Sequence, residues 1–512
     1  MMRFDSISVD RMKPDASLYE KGIRLIKNLV PWDGDWRELE SPIRWGATTP
    51  PAGSVSAGTF SDPNGLIWVG TRREAGPSAR LYEYNPASPG FTSKTPGTDY
   101  AGAPARWRFA KFGASVIAAP ENNNTGTALQ LQVRSGAGNF ANLVPGADRP
   151  APKFIGVCKA YLVGAHNLAW GGAGATYAAA DPYMVMWSSR NNATVFTPAV
   201  DRSGFITLKS ALGEITGLVC FEEFFLVFQQ FGVTRFTWVG GDQVWEQQTI
   251  GGPTFGLVNT LWADGIVLVE RDAYYRSNRG FAVIRNGEAV NLLGEGESSQ
   301  YFRTGTEFPV SPLFTLTGVL HHLSGNVVWT ASRGDSYFQV VYNVATDRMS
   351  VLNGQDFPEI AMARQEAETT APMSALVFIG MVSTDLEAWR LIRDDPRITQ
   401  TATIATLRFR AATGERIALH SLRPLVLCDL LGGAYPEVSV AVDLIQDPAV
   451  GTAETKTVTS TSRDENGWWT SDKFPLTAGE LAFTVTIPSL GESTEIREIP
   501  AVEIALDRSS VF

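Results

Sequence analysis

The chain has 512 residues and a formal net charge of −10, from 43 Lys and Arg against 53 Asp and Glu. That balance argues against holding nucleic acid by phosphate neutralisation. Only 19% of the residues are charged, below the roughly 25% of an ordinary soluble domain, while 48 Gly, 29 Pro and 11% aromatics point to a turn-rich, mostly β chain with ample core material.

No apolar signal core opens the sequence, and no run approaches the ~18 consecutive apolar residues of a membrane span. We therefore expect no membrane span and assembly in a reducing cytoplasm. Residues 1–54 read as an N-terminal extended arm. Residues 17–29 suit a turn or two of helix or an extended segment, and Pro31, Pro42, Pro50 and Pro51 stop anything longer. Eight basic and eight acidic side chains in the first 50 residues leave the arm neutral, which suits packing on its own body or on a neighbouring subunit.

From about residue 55 a rhythm begins, in which a turn is followed by four or five strongly apolar residues. The instances are Leu66 to Val69, Val116 to Ala119, Tyr161 to Val163, Phe225 to Phe228, Ile266 to Val269, Val327 to Trp329 and Leu376 to Ile379, spaced by roughly 41 to 64 residues. A second alternating segment follows most of them: Arg80 to Tyr84, Ala128 to Val133, Tyr183 to Trp187, Val233 to Val239 and Phe338 to Tyr342. Trp262 to Gly294 is the cleanest copy. Its Asn286-Gly287 pair between alternating runs is the strongest short-range hairpin signal, because both central residues of a type I′ turn need positive φ. One such leaf cannot bury both faces, whereas leaves stacked radially can. The prediction over 55–397 is a β-propeller of six or seven blades, with two stacked β-sandwiches as the rival. Residues 398–512 change texture to several short alternating segments, from Leu407 to Arg410 through Glu495 to Leu506, and predict a C-terminal antiparallel β-sandwich. Nine basic and fifteen acidic side chains make this part acidic.

The sequence offers no catalytic, cofactor-binding or metal-binding residue to name. There is no phosphate-binding loop, and Gly171 to Gly174 lacks the third glycine of a dinucleotide turn. His166, His321, His322 and His420 have no ligand at zinc spacing, and the His321-His322 pair would point to opposite faces of a strand. Cys158, Cys220 and Cys428 are far apart and read as buried thiols. No nucleophile elbow occurs, and the pairs Glu222-Glu223 and Asp394-Asp395 are adjacent where glycosidase chemistry needs facing carboxyls. The Asn123 and Asn192 acceptor patterns carry no weight without a secretory route. Two stretches loosely match the sialidase blade turn S-x-D-x-G-x-x-W. Ser61 to Trp68 has Pro63 in the Asp place, and Ser189 to Phe196 has Asn191 there and Phe196 for Trp.

The ends of the chain carry a resemblance. Asn28 to Arg37 (NLVPWDGDWR) with Glu40-Ser41-Pro42 looks like the opening of tail nozzle proteins of short-tailed bacteriophages, and Pro182 to Ser188 with Phe196 resembles a blade segment of that family. Thr406 to Phe409, Arg423-Pro424, Gly467-Trp468-Trp469 and Ile499 to Leu506 look like its C-terminal sandwich, although the seven Arg of residues 398–512 are fewer than that family often carries there. The resemblance implies a non-enzymatic structural virion protein without cofactor. It would be a homohexamer in the viral tail, assembled in the host cytoplasm. The ring would dock to the tail adaptor, and to tail fibres or a tail needle, and pass DNA and ejected proteins without tight binding. The acidic chain agrees with a channel that repels phosphate. Two other readings are a glycan-binding or glycan-cleaving propeller and a receptor-binding tail fibre.

Overall fold

The computed structural model describes residue 50 and residues 53–353, with breaks at 74–77, 87, 98, 102–103, 122–129, 144–148, 169–175, 242, 252–262, 278–279, 294–315, 323 and 334–335, together with the backbone of the strands before residue 50 and after residue 353. The fold is all-β, and the helical elements among these residues are single 3-10 turns such as Ser210–Leu212 and Ala263–Gly265.

Its centre is a β-propeller. Six antiparallel meanders, contiguous in the chain, form successive blades that open with the inner strands Ser54–Ser61, Arg106–Phe112, Pro152–Cys158, Ile215–Cys220, Val267–Val269 and Leu316–His321. Each inner strand is followed by a second strand, a third and an outer one. A seventh sheet of Glu359–Arg364, Ser374–Val382 and Asp385–Leu391 lies between the sixth and first blades, with Glu359–Arg364 against both Leu316–His321 and Ser54–Ser61. Its outer strand is Pro42–Arg44 from near the N-terminus, paired Trp389↔Arg44 to Leu391↔Pro42.

The apolar rhythm of the sequence marks the second strands in six of these seven sheets: Ile67–Arg73, Ser115–Glu121, Tyr161–Asn167, Phe224–Gln229, Asn326–Arg333 and Ser374–Val382. A second strand has a hydrogen-bonded neighbour on each edge and a blade against each face, so both its side-chain sets are buried; Phe224 to Phe228 are all at most 1% exposed. The fifth blade departs from the pattern. There the aliphatic run falls on the inner strand Val267–Val269, and the buried second strand is Asp272–Ser277, whose Ala273, Tyr274 and Tyr275 read as mixed in sequence. Asn286 and Gly287 do take positive φ (50° and 68°), and the Glu288 amide donates to the Arg285 carbonyl across them, on the outer hairpin of that blade.

The core is distributed between blades. Trp68, Trp107, Phe109 and Phe140 fill the first interface, Ile117, Leu162, Tyr177 and Met186 the second, Tyr161, Phe225, Phe236 and Trp245 the third, and Phe228, Tyr275 and Ile284 the fourth. Packing is close enough that Gly58, at φ 139°, would place a Cβ 2.1 Å from the Trp107 carbonyl oxygen. Indole N–H groups reach across: Trp107 donates to the Thr71 carbonyl (3.3 Å) and Trp329 to the Gly265 carbonyl (2.8 Å). Buried amides on second strands tie in loops of their own blade and the segment that leads to its inner strand. Asn167 accepts from the Ala151 amide while donating to the carbonyls of Tyr177 and Ala179, and Gln229 donates to those of Lys209 and Gly213.

The first 44 residues are extended wherever described, with no helical turn. Arg3–Ser8 pairs with Thr494–Ser510, and Ile23–Lys27 lies between Arg348–Asn353 of the sixth blade and Ala402–Thr406. Leu29–Trp32 pairs with Asp35–Glu38, and the Pro31 carbonyl accepts from Asn326 Nδ2 at 2.8 Å. Ile23–Lys27 thereby extends the sixth blade into a sheet that continues through Ala402–Thr406, Glu480–Ile487, Val438–Ile445 and Ala453–Ser460. A second sheet holds Arg3–Ser8, Thr494–Ser510, Glu415–Leu430 and Leu476–Ala478. The expected short strands of this part include two long ones, of 16 and 17 residues. Register shifts beside Ser421 and Leu427 let them bend, and these are the devices that permit such length in a twisted pair.

Candidate functional site: the propeller channel

The inner strands surround a channel whose cavity measures about 630 Å³ and is lined by residues of the first six blades. Its apolar wall includes Phe109, Phe154, Val157, Val219, Leu268 and Val319. Charge is concentrated at its two ends, because the inner strands all run the same way and their first and last residues gather at opposite rims.

At the end where the inner strands begin, Arg106 and Arg108 of the second blade face Asp264 of the fifth, on the opposite wall. Arg106 Nε lies 3.1 Å from Asp264 Oδ2, Arg108 Nε lies 3.1 Å from Oδ1, and Arg108 Nη2 donates to Oδ2 at 3.3 Å. Arg108 is held on its own side by Glu121 (2.7 Å), by the Lys153 carbonyl (3.1 Å) and by stacking over Phe154 at 4.6 Å. Lys153 reaches Glu121 at 2.8 Å. Burial pushes the Asp264 and Glu121 carboxyls up, but the neighbouring cations, Arg108 foremost, outweigh it and hold both below their ordinary values.

At the other end Asp62 joins the first blade to the second. Its carboxylate is 2.8 Å from Lys111 Nζ and accepts the Trp68 indole N–H at 3.2 Å and the Asn64 amide at 2.9 Å. Burial raises its pKa and these donors lower it more, so it sits below the ordinary range. The degenerate blade turn seen in the sequence is thus completed by Asp62, one position before Pro63. Its tryptophan is tied to that carboxylate. In the matching stretch of the third blade, Ser189 accepts no such role; its hydroxyl donates to the Val200 carbonyl and its amide to the Val195 carbonyl.

The other residues singled out in sequence do not converge. Gly171 to Gly174 and Asp394-Asp395 lie outside the described residues. Exposed Glu223 pairs loosely with Lys159 and Arg271, at 3.9 and 3.6 Å. His166 Nδ1 lies 3.0 Å from the Ile215 carbonyl, and burial lowers its pKa. His321 is buried with Nδ1 2.6 Å from Ser324 Oγ, whereas exposed His322 borders the cavity. Burial pushes the Cys158 thiol up to about 12 and the Cys220 thiol well above its usual value, so neither is a ready thiolate. Among the described residues no group of three or more His, Cys, Asp or Glu could hold a metal, and no helix is long and apolar enough to cross a membrane. The Arg106–Asp264–Arg108 cluster was beyond sequence reasoning. Asp264-Gly265 reads as a turn, and only ring closure brings it opposite residues some 156 positions earlier.

No family model matches the chain, and no curated protein matches it. Among solved structures, the Neurospora crassa Pan2 WD40 domain is similar at 10% identity and a TM-score of 0.36, covering 67% of this chain and 90% of that one.

Proposed function

We propose that this protein is a structural component of a virion, the tail nozzle of a short-tailed bacteriophage, acting as a homohexameric ring without enzymatic activity. The observation that carries the reading is the order of parts along the chain. A segment resembling the nozzle opening, Asn28 to Arg37, leads into a propeller, and the strands after the propeller fall in two sheets, one of them continuous with the sixth blade, that we read as the family's C-terminal sandwich. The ring surrounds a passage for DNA and ejected proteins. Six chains of charge −10 would make it about −60, which disfavours adhesion of phosphate. The tail adaptor binds one side of the ring, and fibres or a needle bind elsewhere.

Native mass measurement and electron microscopy of the purified chain test the proposal. A six-fold ring is expected at high concentration. A persistent monomer, together with virions lacking a six-fold ring that contains this chain, would overturn it. Trimers that bind host cells would favour a tail fibre instead. Turnover of sialosides or polysaccharides by isolated monomer would favour a glycan-cleaving propeller.

A further inference from the structure

We propose that Asp264 is a cross-channel bolt, gripped by Arg106 and Arg108 from the opposite wall, that closes one end of the propeller's own channel and fixes the distance between facing blades. Chain order sets the geometry. The second and fifth blades are separated by the third and fourth in one direction around the ring, and by the sixth, the seventh sheet and the first in the other, so a contact between them crosses the channel. Two guanidiniums meet one carboxylate there, with three N–O separations of 3.1 to 3.3 Å.

Both ends of the bolt are anchored. Arg108 is fixed by Glu121, the Lys153 carbonyl and the Phe154 ring, which extends the grip to the third blade. The Ala263–Gly265 turn bearing Asp264 is fixed from the sixth blade, since Trp329 Nε1 donates to the Gly265 carbonyl at 2.8 Å and a Cβ on Gly265 would meet Leu316 at 2.6 Å. Four blades are therefore joined through one carboxylate.

The bolt sits inside the molecule yet touches the cavity. Asp264 keeps 26% of its side-chain surface open, and Arg106 and Arg108 keep 16% and 13%. A charge pair so enclosed is screened far less than one on the outer surface, and removing Asp264 takes away the carboxylate that Arg106 and Arg108 share. Such a bolt spans the channel at that end, so that no polymer threads the propeller's own axis there.

Asp264→Asn, Arg108→Gln and the double variant test this by hydrogen exchange and thermal unfolding. Loss of the bolt is expected to speed exchange roughly ten-fold in Arg106–Phe112 and in Val267–Val269 together, on opposite walls, while Tyr161–Asn167 and Phe224–Gln229 stay unchanged. The double variant should lose less than the sum of the two single losses, because the Arg108–Asp264 contact is removed by each of them. The groups facing Asp264 are Arg106, Arg108 and Lys153, with Glu121 behind them. Since the Asp264 carboxyl titrates below its ordinary value, the stability advantage over Asp264→Asn should be complete above about pH 4 and vanish as pH falls further. If Asp264→Asn does not fold, Arg106→Gln, which removes one of the two grips, is read in the same way. Exchange that rises only in the fifth blade, additive single effects, or a pH-independent difference would each overturn the bolt.

Discussion

The fourth blade and the seventh sheet solve the same problem with different means. The fourth is a meander in which every strand follows the previous one, from Ile215–Cys220 to Trp245–Gly251, and its pairings close through turns of a few residues. The seventh takes its outer strand from Pro42–Arg44, more than 300 residues away in sequence, and the sixth is likewise flanked by Ile23–Lys27. Local pairing needs little loop-closure entropy, whereas distant pairing must be offset by contacts made elsewhere. One part of the ring is therefore self-sufficient, and the other depends on its borrowed strands.

The largest expected effect tests that dependence. Deleting residues 1–49 should lower the thermal midpoint by more than about 10 °C or abolish soluble protein, with hydrogen exchange rising first in Arg348–Asn353 and Asp385–Leu391 and last in Phe224–Gln229. Equal loss of protection in all blades would erase the distinction. Next comes Gly58→Ala, which drives a Cβ into the Trp107 carbonyl at a φ that L-residues rarely adopt. Chemical denaturation should show a loss of about 2–4 kcal/mol, concentrated at the first blade interface.

A smaller effect is expected for Asp62→Asn, which cuts the tie to Lys111 but keeps the shape of the turn. We expect a loss of about 1–2 kcal/mol at neutral pH by the same assay. Because the Asp62 pKa is depressed, its contribution is complete above about pH 4 and disappears on further acidification, so the variant and the parent should converge there. The smallest change has the opposite sign. Lys159 and Ala160 form the two-residue turn between Cys158 and Tyr161 with φ of 48° and 64°, and Ala160→Gly should stabilise by about 0.5 kcal/mol, visible as a small rise in midpoint.

These contrasts also explain what could be read in advance. Second strands were legible because burial on both faces leaves an aliphatic run, and Asn286-Gly287 because its residues carry the turn's own conformational demand. The Lys159-Ala160 turn was silent because neither residue carries the preference for positive φ that a two-residue hairpin turn demands. The tyrosines of Asp272–Ser277 hid a core strand, and the aliphatic signal fell on the inner strand beside it. Pro42 reads as a helix stop; its actual place on an outer strand suits it equally, since an outer edge needs no further amide donor. The channel cluster was illegible, because no local pattern records which residues a closed ring sets face to face.

The pairing of Arg44 with Trp389 fixes an order in time as well as in space. The Pro42–Arg44 strand leaves the ribosome well before its partner, which follows only after some 345 further residues have been added. At ~5–20 residues per second that is a wait of roughly 20–70 s with an unpaired strand exposed. Meanwhile the early blades can already pack against one another. The finished disc is thus latched by a segment made before any of its blades, and slower translation would prolong the interval in which that segment can pair with the wrong molecule.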